Sequence, residues 1–203
     1  MAYPTVDGPT GFQPINLIGG QVFAGATRMI PIASGSGTSI FAGDVVRLNT
    51  GGTLSRVSTT DSATDAVGIF MGCQFTNPST KQLLQQQFYP ASTVASDILA
   101  FVADDPDTFF KVAVLSNSTT IGGMTQTDIG NNVAILVTTG STTTGDSKEG
   151  VSATTGTTTT LPFRVIAGVP ETVNASGSFT EVIVKWNMGV HTYYSSAAVA
   201  TAA

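Results

Sequence analysis

The chain has 203 residues, of which 41% are hydrophobic and 10% are charged, with a formal net charge of −5. That length suits one β domain or two small ones, and the hydrophobic share excludes a chain disordered throughout. Net acidity, with Arg28, Arg47, Arg56, Lys81, Lys111, Lys148, Arg164 and Lys185 scattered singly, excludes the clustered cations that nucleic-acid binding needs.

Residues 1–26 carry Pro4, Pro9 and Pro14 among Gly8, Gly11, Gly19 and Gly20. Fixed-φ and permissive residues at this density predict an extended arm with one short strand at Ile15–Ile18. Short strands follow at Thr27–Ala33, Ser39–Phe41, Asp44–Leu48 and Thr53–Ser58, with turns at Ala42-Gly43 and Gly51-Gly52. Val67–Phe75 is the strongest strand. Its period of two sets Ile69, Met71, Cys73 and Phe75 on one face and Phe70, Gly72 and Gln74 on the other. Lys81–Phe88 reads as a short helix, with an edge strand at 85–89 as the alternative.

Ile98–Ala103 and Thr108–Leu115 flank Asp104-Asp105-Pro106-Asp107, in which short carboxylates and a proline predict a tight turn. Val133–Val137 is another strand. Residues 138–160 are rich in Thr, Gly and Ser and read as an exposed loop or hairpin, unusually long for a compact domain. Leu161–Ala167 and Glu181–Met188 complete the core, and 195–203 reads as a tail with no anchor. The expected fold is mainly β, a single barrel or sandwich over 27–194 with an N-terminal arm. The chain contains no internal repeat or evident linker.

Charge falls well below the roughly 25% usual in globular chains, so the polar surface is built from Thr, Ser, Asn and Gln. Thr is the commonest residue and favours strands. No stretch approaches the ~18 apolar residues of a membrane span, and no basic amphipathic stretch suggests a membrane surface. Met1-Ala2-Tyr3-Pro4 lacks the pattern of a cleaved leader. The single cysteine, Cys73, cannot form an internal disulfide and fits folding in a reducing cytoplasm. A weakly charged, Thr/Ser/Gly-rich surface is typical of proteins exposed outside cells. A protein made in the cytosol and released within a particle satisfies both.

No catalytic constellation emerges. The sole histidine, His191, has no G-x-S-x-G elbow to serve and reads as a surface or strand residue. Cys73 reads as a buried small hydrophobe. One His and one Cys cannot make a tetrahedral zinc site. The Asp104–Asp107 cluster fails the EF-hand pattern because Pro106 interrupts it. Ser34-Gly35-Ser36-Gly37-Thr38 lacks the Lys of a phosphate loop. Trp186 reads as core. The expectation is a chain that is not an enzyme and takes no cofactor or metal.

The stretches Ile15–Gly20, Thr27–Ile32, Ile40–Val46, Ala66–Phe70, Ala103–Asp107 and Leu161–Arg164 resemble head decoration (cement) and minor capsid proteins of tailed bacteriophages of marine and cyanobacterial type. The resemblance implies a β-rich protein bound to the outside of an expanded capsid. Its partners would be the major capsid protein and, in a trimer, copies of itself, with no nucleic acid and no membrane. It implies a virion protein synthesised in the host cytoplasm. Another particle component (tail, baseplate or head fibre) and a carbohydrate-binding or adhesin β domain are the alternatives. For the latter, Phe12, Tyr89, Tyr193 and Tyr194 are the candidate aromatics. The arm is the expected attachment device, through Tyr3, Phe12, Ile15, Leu17, Ile18, Val22 and Phe23. Burial of about half a dozen such side chains, each worth roughly 1.5–3 kcal/mol, offsets the cost of ordering it. The alternative is an arm packed on its own domain as an edge strand.

Overall fold

A computed structural model describes residues 8–58, 66–118, 120–187 and 189–194. Tyr3, Met188 and the tail 195–203 lie outside the described residues. The fold is mainly β: a closed five-stranded barrel with a second sheet against it.

The strands among the described residues are β1 (Gln13–Leu17), β2 (Arg28–Pro31), β3 (Val45–Leu48), β4 (Leu54–Arg56), β5 (Ala66–Thr76), β6 (Leu83–Gln86), β7 (Leu99–Ala103), β8 (Thr108–Asn117), β9 (Thr120–Ile121), β10 (Asn132–Leu136), β11 (Gly150–Gly156), β12 (Phe163–Gly168) and β13 (Glu181–Trp186). The barrel runs β8-β11-β10-β12-β13 and closes because β13 pairs back with β8. Closure removes the free edges that an open sheet exposes. Its pairings are antiparallel except β8–β11, where Val114 and Leu115 meet Val151 and Ser152 in parallel. β1 adds outside the ring along Thr108–Lys111 of β8, and β9 pairs with the end of β8. The second sheet has the order β2-β7-β5-β3-β4, with β6 on the far half of β5.

Two cores result. Inside the barrel, Phe12 stacks on Phe163 at 4.7 Å and Phe163 on Trp186 at 4.3 Å, with Phe110 edge-on to all three. Val112, Val114, Val151, Val165, Val182 and Val184 fill the rest. The second core gathers Ile30, Ile40, Val46, Phe70, Cys73, Phe75, Tyr89 and Val102. β5 serves both, since Ala66 and Ile69 face the barrel core while Val67 and Phe70 face the other.

Several expectations change here. The period of two predicted along Val67–Phe75 is broken by a bulge between Phe70 and Gly72. Gly72 takes φ 146°, and a Cβ there would lie 3.0 Å from the Gln86 carbonyl oxygen. The extra residue shifts the phase, so Phe70, Cys73 and Phe75 share a core while Met71 faces outward. Lys81–Phe88 holds no helix; β6 pairs with β5, from Cys73↔Gln86 to Thr76↔Leu83. Ser39–Phe41 reduces to a single bridge, Ile40 with Tyr89.

The loop predicted over 138–160 contains a barrel strand, β11, whose Val151 is fully buried. Small residues suit that place, because a Cβ at Gly150 would come within 2.7 Å of the Ala113 carbonyl oxygen. Thr there supplies β-branched packing as well as exposed hydroxyls.

The arm predicted over 1–26 is also revised. Gly11 (φ 71°) and Gly43 (φ 94°) cross face to face, and Phe12 N–H donates to the Gly43 carbonyl at 3.0 Å. A Cβ on Gly11 would lie 2.7 Å from that carbonyl oxygen. The crossing delivers Phe12 into the barrel core and β1 onto β8, so from about this point the segment belongs to its own domain, as the edge-strand alternative holds.

Candidate functional site

The chemistry-bearing side chains fall into a buried charge cluster, a buried histidine and a surface around the β7–β8 turn. In that turn, Asp107 N–H donates to Asp105 Oδ1 at 2.8 Å and Thr108 N–H to the Asp105 carbonyl at 3.2 Å. This is the predicted local turn chemistry.

Distant parts of the chain converge on the turn. Arg28 Nε lies 2.8 Å from Asp104 Oδ2, and its guanidinium sits 5.0 Å from the centre of the Tyr193 ring. Tyr193 donates its hydroxyl to Asp104 Oδ2 at 2.7 Å, and Tyr194 donates to Asp107 Oδ2 at 3.4 Å. Lys185 Nζ reaches Asp107 Oδ1 at 2.8 Å. Ile18 N–H donates to the Asp107 carbonyl at 3.0 Å.

Ile18 belongs to a hairpin that continues β1. Leu17 N–H donates to the Gln21 carbonyl at 2.8 Å, Asn16 bridges to Val22, and Phe23 N–H donates to the Ile15 carbonyl at 3.2 Å. At its tip Ile18 is 59% and Val22 75% exposed. Tyr193 and Tyr194 are 43% and 49% exposed. Asp107 thus links the hairpin, through Ile18, to Tyr194, and Arg28 lies against Tyr193; exposed apolar and aromatic side chains with an arginine are the composition enriched at protein interfaces.

The seven residues expected to contact a partner therefore divide. Ile18 and Val22 stand exposed at the tip. Ile15, Leu17 and Phe23 are half-buried along the hairpin. Phe12 is buried in the barrel core and is not a contact residue, because its ring completes the aromatic stack. Tyr3 lies outside the described residues. Phe12 and Tyr89 are likewise buried and offer no aromatic platform for a sugar, whereas Tyr193 and Tyr194 do. The tyrosine doublet was a visible signal in the sequence. Its partners Asp104 and Asp107 lie 89 and 87 residues away, and no spacing rule connects them.

His191 is buried, not on the surface, and bridges to Ala66. Its Nδ1 accepts Tyr193 N–H at 3.2 Å and its ring meets Trp186 edge-on at 5.2 Å. Burial lowers its pKa from 6.5 to about 4, against the opposing pull of Asp104 and Asp105. That keeps it neutral at pH 7 and shapes it as a packing residue. Cys73 is buried, and desolvation pushes its thiol up to about 11, which leaves little thiolate to react.

Arg56, apart from the other cations, sits between two carboxylates. Its Nε lies 3.0 Å from both Asp44 Oδ2 and Glu149 Oε1, and its terminal nitrogen lies 2.9 Å from Glu149 Oε1 and also donates to the Thr138 carbonyl. Phe41 N–H donates to Asp44 Oδ2 at 2.8 Å and Val45 N–H to Glu149 Oε2 at 2.9 Å. Asp44 and Glu149 are both fully buried. Burial, ahead of the pull of Arg56, raises Asp44 to about 6, and burial with the Asp44 charge raises Glu149 well above the usual carboxylate range.

Among the described residues, no group of three or more His, Cys, Asp or Glu could hold a metal ion, and no helix is long and apolar enough to cross a membrane. No family model, no curated protein and no solved structure matches the chain.

Proposed function

We propose that this chain is a virion structural protein, a head decoration (cement) protein of tailed-phage type. In this reading it binds the outer surface of the capsid and stabilises it by contact area, without catalysis and without a cofactor. The observation that carries the reading is the surface around the β7–β8 turn. There Ile18 N–H donates to the Asp107 carbonyl, Tyr194 and Tyr193 donate to Asp107 and Asp104, and Arg28 lies against Tyr193, while Ile18, Val22, Tyr193 and Tyr194 stand exposed. Low charge supports the reading, since weakly charged surfaces pack side by side with little mutual repulsion.

The partners are the major capsid protein and copies of the chain itself, as a trimer. Nucleic acid and membrane are not partners in this reading. The protein is made in the host cytoplasm and ends on the capsid exterior. Repeated copies on one shell add avidity to a modest single contact. The test is sedimentation with empty capsids of Ile18→Asp and Tyr194→Ala variants whose melts match the parent protein. Binding should fall sharply in both. Full occupancy by both would overturn the reading. Copy number per particle separates a decoration protein, at hundreds, from a tail, baseplate or head-fibre component, at a handful.

The two exposed tyrosines beside Asp104 and Asp107 favour one second reading, a carbohydrate-binding or adhesin β domain. Glycan-array binding that disappears in Tyr194→Ala would favour it over the first.

A further inference from the structure

The two cores are joined by a cluster that the surface reading does not use. Asp44 immediately precedes β3, Arg56 lies on β4, and Glu149 immediately precedes β11 of the barrel. Glu149 therefore reaches across the seam, bonding Arg56 of the second sheet and the N–H of Val45, whose side chain packs in the barrel core.

We propose that the Asp44–Arg56–Glu149 cluster keeps one proton between its two carboxylates in the folded protein, and that losing this proton to solvent loosens the seam between barrel and second sheet. One guanidinium faces two fully buried carboxylates. With both ionised, the cluster holds a net negative charge out of reach of water, and an uncompensated buried charge is strongly unfavourable. Asp44 Oδ2 and both oxygens of Glu149 already accept hydrogen bonds or face Arg56. Asp44 Oδ1 is buried with no hydrogen-bond partner among the described residues. It is the carboxylate oxygen on which a proton removes the charge without displacing a donor.

The groups facing the pair come from every side. Arg56 comes from β4, the N–H groups of Phe41 and Val45 from the turn into β3, the Ser147 hydroxyl from the approach to β11, and the Thr138 carbonyl from beyond β10. Arg47, Asp146 and Lys148 are the nearest charged neighbours in sequence. All three are half-buried; Arg47 donates to the Ser55 hydroxyl and Asp146 accepts a hydrogen bond from Gln87.

Both carboxylates bind a proton more tightly folded than unfolded, Asp44 at about 6 against 3.8 and Glu149 well above 4.5. The stabilisation is therefore complete below the unfolded values and is lost as pH rises through about 6 and beyond. At pH 6.5, its ordinary value, His191 is still half protonated in the unfolded chain and gives a slope of opposite sign, so the response is read in a His191→Gln background.

The experiment follows the unfolding equilibrium constant of the whole chain, in the His191→Gln background, from about pH 5 to about 8. One proton held only by the folded state raises the constant by up to about tenfold per pH unit. Amide exchange at Phe41 and Val45 should accelerate over the same range beyond its intrinsic pH dependence. Asp44→Asn and Glu149→Gln each leave one carboxylate on Arg56 and should flatten both responses. In the parent protein, infrared spectra at about pH 5, below the raised value of Asp44, should show the carbonyl stretch of a protonated carboxylic acid, and either variant should lose it. A His191→Gln protein whose stability is flat or rises over this range overturns the proposal, as does a slope that persists when Asp44→Asn or Glu149→Gln is added. Should both variants fail to fold, the parent spectrum decides, and absence of the carboxylic acid band overturns it.

Discussion

Phe12 stacks on Phe163 with ring centres 4.7 Å apart, so the residue just before β1 completes the innermost packing of the barrel. Cutting it back leaves a cavity beside Phe163 and Phe110. Phe12→Ala should cost about 3–5 kcal/mol in denaturant melts. Deletion of residues 1–20 should prevent folding, because it removes both that ring and β1. A truncated protein with an unchanged midpoint would show that the stack is dispensable.

The hairpin tip should behave oppositely. Ile18 and Val22 touch solvent rather than either core, so Val22→Ser should move stability by no more than about 0.5 kcal/mol. Capsid sedimentation should still weaken under the proposed function. Thermal melts compared with pelleting read the two effects separately.

Replacing residues 138–160 with a Gly-Ser linker should abolish folding, since it removes β11 and Glu149 together. Within that stretch the effects divide. Val151→Ala, in the barrel core, should cost about 2 kcal/mol, whereas alanine at the exposed Thr142 and Thr143 should change stability by less than about 0.5 kcal/mol. Equal effects at the two kinds of position would contradict the strand assignment.

His191 sets a pH response at the acid side. Its folded value of about 4 lies below its ordinary 6.5, so the unfolded chain binds the proton more tightly. The corresponding stability is fully present above 6.5 and is lost as pH falls toward 4, by roughly 3 kcal/mol at most. This slope opposes that of the Asp44–Glu149 pair, so acid melts of the parent protein should show partial cancellation. A His191→Gln variant should lose the acid-side decline. Melts at several pH values below neutrality check this, and an undiminished decline would assign it to other groups.

Cys73 should resist thiol reagents. Its sulfur is buried and its ionisation is pushed up to about 11, so an aromatic disulfide reagent at mildly alkaline pH should react only after denaturant is added. Prompt reaction in the native protein would mean that the second core opens readily.

What local physics controls is legible along the chain. Alternating apolar residues marked β5, β8, β12 and β13, and Asp104-Asp105-Pro106-Asp107 specified its turn because each carboxylate and the proline act on adjacent backbone. The burial of Trp186 and Cys73 was legible in the same way, from apolar neighbours at a period of two. The tertiary structure decided whatever depends on which strands meet. A bulge between Phe70 and Gly72, where β5 pairs with β7, exchanged the faces of β5, and the Gln86 carbonyl leaves no room for a side chain at Gly72. β11 hides among threonines because its strand character comes from its two neighbours, β10 and β8, rather than from its own pattern. Phe12 looked like an exposed arm residue until the crossing of Gly11 and Gly43 carried it inside. Both charged constellations were beyond reach for one reason. Arg56 stands 93 residues from Glu149, and Tyr193 stands 89 from Asp104. Only closure of the barrel against the second sheet brings each pair within a hydrogen bond, because a side chain's electrostatic partners are set by proximity in space rather than along the chain.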